Sequence, residues 1–356
     1  MAAIQFLVHP HLTPEACHAE EAHYVNLVRR AGRPQTGVLR VYSLAGEVLS
    51  IGRYHLVSDA MASNRAIRVH RRRSGGRAVP CGDGFVGLTL VLPHRAFLFA
   101  EDPLGLAAYQ VMNRYARGIL EACRLAGVPA FYPGRDWVTV HRRAIALVSF
   151  EVDPSGTLLF EAILANQRDF SELPRLLEGV DADGVVKAEL LDPNTVTCLT
   201  REMGADLSVH DVADLLRRGF EKQFGPIFEP HDSSPLEQRL IDSATTHSER
   251  YGRWLRRRRV RPDLTRHAFT RVQLGFFEVF LSLAQTAFIK DVMFAGDFIA
   301  NSGGVERLER DLRLCPTDWR AIDAVASAVF SQPENYLLGI GPLRTIADTI
   351  VQALPA

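Results

Sequence analysis

The sequence predicts an α+β fold: a larger unit of mixed strands and packed helices, a helical connection, and a small α/β unit at the C-terminal end. Three observations predict it. Alternating apolar runs and runs of helical period are interleaved through residues 1–230, residues 231–264 read as helix, and both patterns return over 265–356. At 356 residues, with 47% hydrophobic and 23% charged, the chain is long and apolar enough to pack two units.

The elements follow in order. Thr13-Pro14-Glu15 reads as an N-cap with proline at the first helical position, and Ala16, Ala19, Ala22 and Val28 recur at helical spacing until Gly32 and Pro34. Val38–Tyr42 and Val48–Ile51 alternate around Ala45-Gly46, which predicts a hairpin. Gly84–Leu92 is a strand stopped by Pro93. Leu104, Ala108, Val111, Tyr115, Ile119 and Cys123 mark a helix closed by Gly127 and Pro129. Strands are expected at Trp137–Val140, Ala144–Phe150 and Thr157–Leu164. Ser208 and Asp211 form a capping pair before Val212–Phe224, and Gly225-Pro226 breaks the run. A further helical run passes Arg239-Leu240-Ile241 and reaches Trp254 and the tract Arg256–Arg259. Phe269–Phe288 is apolar with mixed αβ character, and Val292–Ile299 leads to Gly303-Gly304 and a helix rich in Glu, Arg and Leu.

Lys+Arg and Asp+Glu balance at 41 each, so no global field draws the chain to nucleic acid or to a membrane. The N-terminal MAAIQFLVHPHL lacks the charge-then-apolar order of a secretory signal, and no run of ~18 or more uncharged apolar residues occurs. Five scattered cysteines, Cys17, Cys81, Cys123, Cys198 and Cys315, fit reduced thiols. The expectation is a cytoplasmic protein, and any anion binding must come from a local cluster.

The densest such cluster is Arg71-Arg72-Arg73-Ser74-Gly75-Gly76-Arg77. Glycines let a backbone approach a ligand and offer N–H groups, and arginine presents a fork of donors to phosphate or carboxylate. The spacing is neither that of a Walker loop nor G-x-G-x-x-G. Taken alone, it is a solvated basic turn or an anion cradle. Gly134-Arg135-Asp136 and Ser155-Gly156-Thr157 read as turns before strands. Arg256–Arg259 is a solvated helix face or a contact for an acidic partner. Cys81 is a small core residue or a nucleophile favoured by nearby arginines. His55 and His141 have no partner at metal-ligand spacing, and His9, His11 and His18 are irregular, so no metal ligands are assigned.

In sequence, these pieces carry more. Ile51-Gly-Arg-Tyr54, then Arg71–Val79 in the form R-R-x-S-G-G-x-A-V, then Pro133-Gly-Arg-Asp136 and Gly156-Thr-Leu-Leu159 match in order and spacing. The chain resembles the lipoate–protein ligase A family, within the wider group of biotin/lipoate ligases and octanoyltransferases. Ser243–Trp254, Ala295-Gly-Asp-Phe298 and Glu306-Arg-Leu-Glu309 extend the resemblance to the family's C-terminal accessory domain.

The resemblance implies a biotin/lipoate ligase-like catalytic domain over 1–230, built on a mixed sheet with helices on one face, a connection over 231–264, and an accessory domain over 265–356. It implies activation of lipoate or octanoate with ATP and Mg²⁺ to an acyl-adenylate, and transfer to a lysine of a lipoyl carrier domain. In that scheme Arg72, Ser74, Gly75, Gly76, Arg77, Ala78 and Val79 wall the adenylate pocket. Gly134, Arg135 and Asp136 stand on the nucleotide side, and Gly156 and Thr157 begin a strand lining it. Two positions depart from the family pattern. The family's lysine falls on Ala144, with Leu147 in place of a glycine, so that Arg143 or Arg142 is the substitute cation. The histidine after G-G-x-A-V is Cys81. Three functions therefore stand open: a ligase using Arg143, a ligase-like binding protein without chemistry, and a transferase with Cys81 as acyl carrier.

Overall fold

The structure, a computed structural model, describes residues 3–30, 36–99, 106–188, 191–246, 248–259, 261–285 and 287–354. Gly32 and Pro34, the expected stop of the first helix, and Leu104, the expected start of the next, lie outside them.

The chain opens with a strand that its periodicity does not announce, β1 (Ala3–Leu12). In α1 (Pro14–Arg30) the Ala16 N–H donates to Thr13 Oγ1 at 3.2 Å, the cap expected from Thr13-Pro14. There follow β2 (Thr36–Leu44), β3 (Val48–Ile51), α2 (Asp59–Ser63), β4 (Arg68–Arg71), β5 (Val79–Pro80) and β6 (Phe85–Leu92). Next come α3 (Val111–Leu125), β7 (Ala130–Phe131), β8 (Trp137–Val140), β9 (Arg143–Val152) and β10 (Leu158–Ala165). After α4 (Leu173–Val180) and α5 (Leu199–Met203), α6 (Val209–Phe224) starts at a capping box of Ser208 with Asp211. The strand β11 (Ile227–Pro230) and helices α7 (Pro235–Thr246) and α8 (Ser248–Leu255) complete this part.

One mixed sheet organises these elements, in the order β11-β1-β2-β6-β10-β9-β8-β7. β11, β1 and β2 are parallel, and the remaining pairings are antiparallel. The expected hairpin over Val38–Ile51 does not form. β2 joins the large sheet between β1 and β6, whereas β3 pairs with β4 and β5 in a small separate sheet. Alternation specifies which face of a strand is buried but not which strand it pairs with.

Strand alternation divides the large sheet into two buried faces. Leu39, Leu88, Leu90, Phe160 and Val148 share a core with Tyr115 and Ile119 of α3 and Leu216 and Phe220 of α6. α3 and α6 meet where side chains are missing: a Cβ on Gly118 would lie 2.6 Å from the Phe220 ring, and one on Gly219 2.5 Å from the Ala122 nitrogen. Phe220 is fully buried there, and truncating such a ring to alanine costs about 3–5 kcal/mol. The other face is covered as well. α1 lays Tyr24, Val25 and Val28 on Val38, Val91 and Leu159, so the helices are not confined to one side.

Beyond α8, β12 (Arg266–Val272), β13 (Gly275–Ala284) and β14 (Phe288–Gly296) form an antiparallel sheet. The mixed character expected of Phe269–Phe288 is thus strand and turn, its near-continuous apolarity reflecting burial of β13 on both faces. β15 (Ile299–Ala300), α9 (Ser302–Asp311), α10 (Trp319–Phe330), β16 (Leu337–Leu338) and α11 (Thr345–Gln352) follow. Their core gathers Val279, Phe294, Leu308, Ile322 and Ile346, and Tyr54 from the first part is embedded in it. The architecture is the α+β arrangement expected, a large mixed sheet with helices followed by a smaller sheet-and-helix unit.

Candidate functional site

On the face carrying α1, a polar row crosses four neighbouring strands. Arg40 of β2 is opposite Thr89 of β6, Thr89 is opposite Glu161 of β10, and Glu161 is opposite Ser149 of β9. All four are buried. Apolar rows flank them, Tyr42, Ile163 and Leu147 on one side and Val38, Val91 and Leu159 on the other. Charges inside an apolar face are costly to bury unless they are paired or hydrogen-bonded, as Arg40 is to Glu20 and Glu161 to the loop.

The Arg/Gly loop lies over this row. The Ser74 N–H donates to Glu161 Oε2 at 2.7 Å, and Ser149 Oγ donates to the Gly75 carbonyl at 2.9 Å. The Arg72 guanidinium turns back on the loop, donating to Ser50 Oγ, to the Gly75 carbonyl and to the Arg77 carbonyl. Arg77 Nε donates to Asp136 Oδ2 at 2.6 Å, with its guanidinium over the Trp137 ring at 5.8 Å. Burial pushes the Asp136 carboxyl up, against the pull of Arg77. Gly75 and Gly76 meet the C-terminal unit. The Gly76 N–H, at φ +91°, donates to the Phe298 carbonyl at 2.9 Å, and a Cβ on Gly75 would lie 2.0 Å from that oxygen.

Phe298 is itself fixed from several directions. Its ring stacks on Tyr54 at 4.4 Å, and Tyr54 Oη donates to the Ala300 carbonyl. His55 Nε2 and Asp297 Oδ1 are 2.7 Å apart, both fully buried. Ser302 gives its N–H and Oγ–H to Glu151 Oε1 at 2.9 and 2.7 Å, and burial pushes the Glu151 carboxyl up to about 7.

The loop residues expected at the site are thus brought together: Arg72, Ser74, Gly75, Gly76, Arg77, Ala78 and Val79 are all buried, and Asp136 joins them through Arg77. Gly134 and Arg135 remain on an exposed turn before β8. Gly156 and Thr157 close the β9–β10 turn, where Asp153 Oδ1 accepts the Thr157 N–H, and Gly156 lines a 440 Å³ cavity shared with Asn301, Gly303 and Asn335. Arg143 is held by Glu202 at 2.7 Å at the start of β9, and Arg142 occupies the preceding turn with φ +68°. Ala144, beside them, is packed in an apolar cluster with Trp137, Leu147, Val79 and Val196. Cys81 lies in the same cluster, and burial pushes its thiol well above the usual range, opposite to what a nucleophile requires. His55 is a core residue paired with Asp297, and His141 sits in the β8–β9 turn.

Four members of the site are not singled out by the sequence, Glu21, Arg40, Glu161 and Glu151, and Phe298 is marked there only as part of the C-terminal resemblance. The signal was there for two of them. Arg40 interrupts VLRVYSL and Glu161 interrupts LLFEAILA, each a lone charge inside an otherwise apolar strand. Glu21 lies on α1, where Arg73 Nε reaches its Oε1 at 2.5 Å. Burial, then the Glu161 carboxylate, pushes Glu21 up to about 7.

With this geometry described, comparison with known proteins gives a consistent result. The family described as Lipoyl protein ligase A/B catalytic domain matches residues 20–221, more than half of the chain. Among solved structures, P. falciparum LipL1 in complex with lipoate superposes with a TM-score of 0.69 at 14% identity, over 98% of this chain and 99% of that one. The bi-partite lipoate protein ligase of Thermoplasma acidophilum, described with its E2 lipoyl domain, gives 0.55 at 17% identity, over 74% and 99%. A lipoate-protein ligase A bound with ATP gives 0.53 at 17% identity, over 72% and 100%. A search of curated proteins found no match. Among the described residues, no helix is long and apolar enough to cross a membrane. The chain belongs to the lipoyl protein ligase A/B catalytic-domain family, as a divergent member.

Proposed function

We propose that the chain is a lipoate–protein ligase-type protein that takes lipoate or octanoate, with ATP and Mg²⁺, to an acyl-adenylate at the Arg72–Val79 loop and passes the acyl group to a lysine of a lipoyl carrier domain. The observation that carries this is the set of donors that one buried loop holds. The Ser74 N–H, the Gly76 N–H and the Arg77 guanidinium all belong to it, and each is held by an internal acceptor: Glu161, the Phe298 carbonyl and Asp136. A phosphate or an acyl-phosphate anhydride is the ligand class such a set serves once those acceptors give way. The relatives solved with lipoate and with ATP support it.

In this reaction the acyl carboxylate attacks the α-phosphorus of ATP and pyrophosphate leaves; the carrier amine then attacks the acyl carbon and AMP leaves. The chain's own part is to neutralise the phosphate and to hold the anhydride in line for the amine. Backbone N–H groups and arginines fit the phosphate, and Mg²⁺ would come with the triphosphate. In the same reading residues 1–230 are the catalytic domain, 231–264 the connection and 265–356 the accessory domain, acting in the cytoplasm.

Binding without adenylation is the second reading, and Ala144 favours it. The position where the resemblance places a lysine carries a methyl packed against Trp137 and Leu147, and Arg143 is engaged by Glu202. To separate the two, the protein is incubated with lipoate or octanoate, Mg²⁺-ATP and an apo carrier domain, and pyrophosphate and carrier mass are followed. Pyrophosphate and an acylated carrier, both lost in Arg143→Ala, support the ligase. Tight binding of a non-hydrolysable acyl-adenylate with no turnover supports the binder. No binding and no turnover would refute both.

A further inference from the structure

We infer that Glu161 is a specificity-determining residue of this site: its carboxylate occupies the Ser74 N–H that an anionic ligand would need, and so sets how strongly the site accepts a charged acyl-nucleotide over a neutral one. This rests on the proposed acyl-adenylate reading and adds to it a residue that neither the motif nor the family comparison assigns.

The placement is unusual in three respects. Glu161 stands in the middle of β10, in register with Thr89 and Ser149, and is buried beneath the loop. Among the described residues its hydrogen bonding is a single contact, from the Ser74 N–H at 2.7 Å, while Oε1 has no partner. In its row Arg40 Nε and Thr89 Oγ1, and in the loop above it Arg72 Nε and Ser74 Oγ, are likewise buried without a hydrogen-bond partner among the described residues. A folded protein satisfies nearly all buried polar atoms, and a group of such orphans on facing strands and loop marks a place where a polar ligand or ordered water completes the bonding.

The charges around Glu161 argue that it is there in place of something. Arg40 is committed to Glu20 Oε2 and to the Cys17 carbonyl, and Arg73 to Glu21. Arg72, whose charge interacts with that of Glu161, spends its hydrogen bonds on Ser50 and on loop carbonyls. Glu161 is therefore a carboxylate on a backbone donor, the same pairing that a phosphate oxygen makes with a glycine-rich loop. A phosphate arriving at that N–H meets a like charge with little water between them, whereas a neutral group does not.

Two probes share the acyl chain and adenosine but differ in charge: octanoyl-sulfamoyl adenosine, which is anionic, and 5′-octanamido-5′-deoxyadenosine, which is neutral. Their affinities are measured by calorimetry for the full chain and for Glu161→Gln and Glu161→Asn, with melting curves as a check on folding. Either neutral variant serves if the other fails to fold. The expected result is roughly ten-fold or greater tightening of the anionic probe, since like charges about 5 Å apart repel strongly away from bulk water, with little change for the neutral probe. Equal change for both probes, or none, in variants that fold while the unaltered chain binds, overturns the inference and leaves the acyl-adenylate reading standing. Failure of every form to bind either probe overturns both.

Discussion

Replacing Glu151 by glutamine tests how the C-terminal unit is tied to the large sheet. Glu151 is buried, with Oε1 accepting two hydrogen bonds from Ser302 and Oε2 without a partner among the described residues. Burial raises its carboxyl from 4.5 to about 7. In the unfolded chain the proton is lost near 4.5, so between that pH and 7 the folded state binds more protons than the unfolded one. Stability from this group is therefore present below about 4.5 and falls as pH rises to 7. At about 1.4 kcal/mol per pH unit, the cost is about 3 kcal/mol at neutral pH. Glutamine keeps the acceptor for Ser302 and carries no charge. Urea denaturation of both proteins at steps from pH 4.5 to 8 should show Glu151→Gln gaining on the unaltered chain by about 3 kcal/mol across the window. Glu21 titrates in the same range in both proteins and cancels in the difference. A difference between them that does not vary with pH would refute the reasoning.

Other outcomes follow from the same geometry. Arg77→Ala leaves the Asp136 carboxylate buried without its partner and should cost about 3–5 kcal/mol in denaturant unfolding, with part recovered by adding Asp136→Ala. Gly75→Ala drives a Cβ onto the Phe298 carbonyl, and limited proteolysis should show residues 297–302 cut faster than in the unaltered chain. Arg143→Ala removes only a partly exposed pair with Glu202, so its stability should fall by less than about 1 kcal/mol whatever happens to turnover.

What was legible in the sequence was local. The capping pair at Ser208 and Asp211, the strands over 137–164 and the order of the Arg/Gly pieces are written in neighbouring residues, because caps, alternation and turn chemistry act over a few positions. β1 was not legible, since Ala3-Ile4-Gln5 at its start alternates too weakly and its place in the sheet depends on β11, a parallel partner contributed from more than two hundred residues along the chain. For the same reason Ala45-Gly46 looked like a hairpin and is a crossing between sheets.

The sequence by itself indicated an α+β fold and an Arg/Gly loop of a recognisable family. Only the tertiary structure decided what that loop holds. Glu161 comes from β10, Asp136 from the turn into β8 and Phe298 from the C-terminal unit, and each takes a donor of the loop. A hydrogen-bond donor declares itself in a motif. Its acceptor is chosen by which strands the sheet places alongside, and no local pattern encodes that.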